Sequence, residues 1–147
     1  QISLIARLIG IVDCYEESLH PRNGVITLTP NQVIAGLFKK ADKQYDKAFI
    51  QLLIKVLGVY PPGSFVTLSD GIIGLVMSSE PTAPLKPILL PYIKGRVPES
   101  VDLIYLQKDE RTITGSISIN QLNSAQTEFF SIGKHACYYY SLPTEPV

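Results

Sequence analysis

The chain has 147 residues, 46% of them apolar, and a mean hydropathy of +0.18, which supports a buried core and excludes wholesale disorder. Thirteen Lys and Arg balance thirteen Asp and Glu, so no long-range field draws the chain to nucleic acid or an anionic membrane surface. Two cysteines and two histidines are too few for a disulfide framework or a multi-histidine metal centre. No apolar run approaches the roughly 18 residues of a membrane helix, and no signal peptide opens the chain, so reduced thiols and a cytoplasmic setting are expected.

Residues 2–17 read as a helix: Ile2, Ile5, Leu8, Ile9, Val12 and Tyr15 recur at helical spacing. Leu4 and Ile11 widen the apolar face, which predicts a helix covered on several sides and starting without a cap. Pro21 and Asn23-Gly24 end it. Thr29-Pro30-Asn31-Gln32 starts a second helix, with Thr29 as cap, Pro30 at the first helical position and Gln32 closing a capping box. Val33, Leu37, Ile34, Phe38 and Ala41 form its stripe, and Lys39, Lys40 and Lys43 face water. A third helix follows from Asp46, its cap, to Leu57, with Gly58 as the stop.

The period then changes at Tyr60-Pro61-Pro62-Gly63, a stiff turn. Residues 65–68 and 72–77 read as a hairpin closed by Ser69-Asp70-Gly71, with Gly74 marking a bulge or close packing. Pro81, Pro84 and Pro87 are expected to punctuate a loop. Strands are expected over 85–93, with Pro91 pointing to a sheet edge, over 101–106 and over 113–119. Residues 122–130 suit a short helix, and a tail with Tyr138, Tyr139 and Tyr140 reads as extended. The expected class is α+β, with antiparallel helices over 1–60 and a small β-rich lobe over 61–147.

The candidate chemistry is sparse. Asp13 and Glu16 share a helical face, and Glu17 and His20 lie further along the same end. Carboxylates and an imidazole so placed suit a divalent metal, although a solvated helix end has the same composition. Cys14 reads as a small hydrophobe inside the helix, Cys137 as a thiol beside basic residues, and His135 as a surface histidine. The three tyrosines suit a packed tail or oligomer contact better than base stacking, because no basic groove accompanies them.

Two stretches resemble a known family. Ala6-Arg7-Leu8-Ile9-Gly10-Ile11-Val12-Asp13-Cys14-Tyr15-Glu16 and Gly58-Val59-Tyr60-Pro61-Pro62-Gly63-Ser64, with Leu68-Ser69-Asp70-Gly71 beyond, are similar to the HD-GYP family. Its members are bacterial signalling hydrolases that cleave cyclic di-GMP at a multi-iron or related metal centre. Leu28-Thr29-Pro30 and Tyr45-Asp46 fall where that family starts its next two helices, and the resemblance spans about residues 2–90. It implies that Asp13 is a metal-ligand aspartate, that Glu16 lies near the metals or the substrate phosphate, and that Arg22 stands in for one phosphate-binding group. It also implies iron or manganese in an intact member. The family's His-Asp pair and Gly-Tyr-Pro motif precede the Asp13 helix, and residues 1–12 contain neither. The chain therefore reads as the C-terminal portion of such a protein, not catalytic alone and partnered by the remainder of its parent. A chain that lost its catalytic helices and persists as an interaction or homo-oligomerisation module is the alternative.

Overall fold

The computed structural model describes residues 2–25, 28–41 and 43–130. The fold is α+β, with three helices ahead of a five-stranded antiparallel sheet and a fourth helix after it.

Local rules account for the helices. Helix α1, Leu4–Leu19, is capped by Ser3, whose hydroxyl accepts from the Ala6 amide at 3.2 Å. The expectation of an uncapped start is thus corrected. His20 ends α1 in a non-helical conformation, as a residue before proline must. Helix α2, Pro30–Lys39, carries the full capping box: the Gln32 amide donates to Thr29 Oγ1, and the Thr29 amide to Gln32 Oε1. Helix α3, Lys47–Leu57, starts at Asp46, which accepts from the Ala48 amide, and stops at Gly58, whose φ of 79° suits a residue without a side chain. No helix among the described residues is long and apolar enough to cross a membrane.

These three helices share one core. Ile11, Tyr15 and Leu19 of α1 meet Val33, Ile34 and Leu37 of α2 and Ile50 and Leu57 of α3. Phe38, expected on the α2 stripe, is half exposed.

The sheet has a second core. Its strands are β1 (Phe65–Leu68), β2 (Ile73–Glu80), β3 (Ala83–Pro91), β4 (Ile104–Tyr105) and β5 (Ile113–Ile117), in the order β4-β3-β2-β1-β5. Val66, Leu68, Val76, Leu89 and Ile104 fill one face together with Leu106. Strand alternation turns Phe65 to the opposite face. There it meets Phe130, at 5.2 Å between ring centroids, just beyond helix α4 (Ser124–Phe129), whose Phe129 stands edge-on to Tyr92. The Tyr60–Gly63 turn is pinned to the sheet: the Gly63 amide donates to the Val76 carbonyl, and Tyr60 packs on the sheet core.

Narrow contacts join the two cores. The Thr29 and Ser116 hydroxyls are 3.1 Å apart, and Asn31 donates to the Val59 carbonyl. Gly58 lies so close to β2 that a Cβ built on it would stand 2.8 Å from Ser79 Cβ.

Three further expectations are revised. Residues 81–87 are not a loop, because β3 begins at Ala83 and takes in Pro84 and Pro87. The β2–β3 ladder shifts register between Val76 and Ser78 and between Ser78 and Glu80, which accommodates the missing proline N–H groups. Strand β3 is not an edge strand, since it lies between β2 and β4. The β4 pairing covers only Ile88 and Leu89, however, so Pro91 itself stands where β3 is unpaired on that side among the described residues. The 101–106 strand shrinks to Ile104–Tyr105, followed by a 3-10 turn over Leu106–Lys108. Of the two readings of Gly74 the bulge is absent, since its pairing with Val66 and Pro91 runs in unbroken register, and a Cβ there would meet Leu89 Cβ at 3.4 Å, an ordinary packing contact. The expectations for His135, Cys137 and Tyr138, Tyr139 and Tyr140 lie outside the described residues.

Candidate functional site

Helix α1 presents two apolar faces, and its neighbours cover one. Ile11, Tyr15 and Leu19 are buried against α2 and α3. The other face is bare: Ile5 is 67% exposed and Ile9 60%, with Ile2 and Val12 exposed alongside. The helix is therefore covered on one side, not on several. Spacing alone could not decide this, because both faces obey the helical period and burial depends on what lies opposite.

Ile2, Ile5, Ile9 and Val12 form a single stripe, and the polar candidates extend it. Glu16 lies four residues after Val12, Asp13 four after Ile9 and His20 four after Glu16. Asp13 is exposed on α1. Glu16 and His20 are brought together, with His20 Nδ1 3.4 Å from Glu16 Oε2 and both side chains about half exposed. The His20 amide also donates to the Glu16 carbonyl, at 2.8 Å. The helix end thus directs the imidazole back over the preceding turn. Arg22 is almost fully exposed and stands 3.5 Å from Glu17, so it is not brought to Asp13 by any contact in the fold. Among the described residues no three His, Cys, Asp or Glu side chains are placed to share a metal ion.

Beneath this end, Cys14 is partly buried against the helical core, as its apolar reading expects. The hydrogen bond it shares with the Tyr45 phenol pushes that phenol above its usual range, and burial adds to the effect. Ser18 donates to the Cys14 carbonyl. At the other end of the stripe, Arg7 lies over the Phe49 ring and pairs with Asp46 at 3.2 Å, which fixes α1 to the start of α3.

A second polar constellation escaped the sequence reading. Arg111 donates through Nε and one terminal nitrogen to both oxygens of Asp109, at 2.8 and 2.6 Å, and through the other to Asp70 at 3.2 Å. Asp109 is held down to about 2 by the Arg111 guanidinium, and Arg111 is raised in turn. The Asp-x-Arg spacing carries a local signal for the first pair. Asp70, in the β1–β2 turn, is 41 residues from Arg111 and leaves none. Asp109 and Arg111, but not Asp70, line a groove of about 660 Å3 between the β3–β4 connection and the turn after β4.

No family model matches the chain, and neither a curated protein nor a solved structure matches it.

Proposed function

We propose that this chain is the C-terminal portion of an HD-GYP-like bacterial signalling protein, in which α1 packs its bare stripe against the remainder of the parent and Asp13 supplies one oxygen donor to a metal centre completed there. The observation that carries this reading is the position of Asp13 beside a stripe of large aliphatic side chains that no described residue covers. Each such side chain gains about 1.5–3 kcal/mol on full burial, so the stripe favours a packing partner. A partner laid on it also comes within reach of Asp13.

The described residues do not place a hydrolytic site by themselves. One free carboxylate and a Glu16–His20 pair are short of the several ligands that a metal needs to activate water, and no catalytic step is assigned to this chain. In an intact member, iron or manganese would supply an activated water for a cyclic di-GMP substrate. Asp13 would hold the metal, Glu16 would lie beside it, and Arg22 would be the candidate phosphate contact.

The test is metal analysis and cyclic di-GMP hydrolysis on the full-length parent, with Asp13→Asn beside it. The reading expects bound metal, turnover and loss of both in the variant. A parent with neither metal nor turnover supports the second reading, a non-enzymatic interaction or dimerisation module. That module uses the same bare stripe as its contact surface and leaves Asp13→Asn without effect on association.

A further inference from the structure

We infer that Asn23 is a site of spontaneous covalent modification: its side-chain amide closes onto the Gly24 nitrogen as a cyclic imide, which water opens to aspartate and isoaspartate beside the end of α1.

The turn after α1 supplies what this chemistry needs. Joining Asn23 Cγ to the Gly24 nitrogen makes a five-membered ring, and a following glycine leaves that nitrogen unshielded. Asn23-Gly24 is the single Asn-Gly pair in the sequence. Both residues are exposed. Gly24 has a φ of 71°, and a Cβ built on it would meet no atom within 4 Å, so the reacting nitrogen stands in open space. The Val25 amide donates to Asn23 Oδ1 at 3.1 Å. That bond polarises the carbonyl under attack and favours the oxyanion that develops on it. One restraint opposes the reaction: the Gly24 amide donates to the Pro21 carbonyl at 2.8 Å. It closes one exposed turn, and local bonds of that kind open at little cost.

The step balances without a redox partner. A solvent base takes the Gly24 amide proton, and the nitrogen bonds to Asn23 Cγ. The tetrahedral intermediate expels the side-chain nitrogen as ammonia and leaves the imide. Water opening the ring at Cγ gives aspartate. Opening at the main-chain carbonyl gives isoaspartate, with the chain routed through Cγ. Either product adds a negative charge one residue from Arg22, which stands 3.5 Å from Glu17.

The fold sets this position apart from others with related chemistry. Asn31, Asn120 and Asn123 precede residues with side chains. Asn31 also donates to the Val59 carbonyl, and Asn123 accepts from the Gln126 amide. Asp70-Gly71 has similar geometry, with Asp70 Oδ1 accepting from the Ile72 amide and Gly71 at a φ of 86°. Asp70 is a carboxylate paired with Arg111, however, and a carboxylate is a poor target for a nucleophile.

The test ages the 147-residue chain in mildly alkaline buffer and maps the products by peptide mass spectrometry, with isoaspartate reported by an isoaspartyl methyltransferase. A blocked peptide of residues 21–25 gives the rate without the fold. The proposal expects Asn23 to convert within about tenfold of the peptide rate, the allowance for opening one exposed turn. It expects Asn31, Asn120, Asn123 and Asp70 to lag Asn23 by about tenfold or more, and Asn23→Gln, which needs a larger ring, to slow the reaction at that position by a similar factor. Circular dichroism checks the fold of that variant, and the comparison of native chain with peptide decides the matter if it does not fold. Conversion of Asn23 slower than the tenfold limit means that the turn protects it and overturns the proposal. So does isoaspartate forming first at Asp70 or at another asparagine. The chemistry at Asn23 is independent of the reading of α1 as part of a metal site.

Discussion

Ile9 and Ile11 stand two residues apart on one helix, and replacing each by alanine isolates the bare face of α1. Ile11 is 1% exposed in the helical core. Its truncation removes buried methyl groups and leaves a cavity, at about 2–5 kcal/mol. Ile9 is 60% exposed, so about two-fifths of its side chain is shielded. Two-fifths of the roughly 1.5–3 kcal/mol for a fully buried side chain is about 1 kcal/mol. Alanine keeps its own methyl and has the better helix propensity by a few tenths of a kcal/mol, so the net loss falls below about 1 kcal/mol. Urea unfolding and thermal melts of both variants measure the gap. At roughly 2–4 °C per kcal/mol for a chain of this size, Ile11→Ala lowers the melting point by about 4–20 °C and Ile9→Ala by under about 4 °C. In the full-length parent the Ile9 loss rises toward that of Ile11, because there the proposal covers the stripe. Equal losses in the 147-residue chain at low concentration refute the reasoning. They mean that the face is already covered, and the argument for a partner fails with it.

Three further outcomes follow from the geometry. The folded value of Asp109, about 2, lies below the ordinary 3.8, so its contribution to stability is complete above about pH 4 and fades as pH falls through 3.8 toward 2. Asp109→Asn removes that part of the acid dependence in urea melts taken from pH 5 to pH 2. Gly58→Ala meets both a φ of 79° and Ser79 Cβ at 2.8 Å, and destabilises by about 1–3 kcal/mol in urea. Ser79→Gly in the same chain recovers the steric share and leaves the backbone share. Thr29→Ala removes a helix cap, at about 1 kcal/mol. A double-mutant cycle with Ser116→Ala shows a coupling of about 0.5 kcal/mol or more if the hydroxyl contact joins the two cores.

What was legible in the sequence was what local chemistry decides. Thr29, Pro30 and Gln32 start a helix because their side chains satisfy amides within one turn. Asp46 and Gly58 bound α3 for reasons equally near at hand. The β1–β2 turn is written in Ser69-Asp70-Gly71, with Asp70 accepting from the Ile72 amide. Apart from the Ser3 cap of α1, which lies within one turn of the helix start, the misreadings depend on a second segment. Pro84 and Pro87 suggest a loop until the register shifts of β2 are known, and Pro91 suggests an edge strand until β4 is seen beside β3, where it stops opposite Leu89 and leaves Pro91 unpaired on that side. Asp70 reaches Arg111 only through the fold. The candidate site divides in the same way. Asp13, Glu16 and His20 are recognisable as one helix end, but the pairing of Glu16 with His20 rather than with Asp13 depends on how Pro21 ends the helix.

The bare stripe and the free carboxylate constrain each other. In the 147-residue chain Asp13 is hydrated, and its charge costs little. A body that covers Ile5, Ile9 and Val12 and extends over Asp13, one residue after Val12, strips water from that carboxylate as it buries the aliphatic groups. A carboxylate so desolvated must take up a proton, meet a basic side chain or bind a metal ion, since an unpaired buried charge costs several kcal/mol. On the proposed reading, burial of the stripe and a cation at Asp13 go together, whereas a module whose contact stops short of Asp13 buries the stripe alone. A purely apolar partner such as a lipid surface would have to protonate Asp13 first, whereas a protein face that carries a metal or an arginine opposite Asp13 gains from both terms. That coupling ties the position of Asp13 to the chemistry of whatever packs on α1.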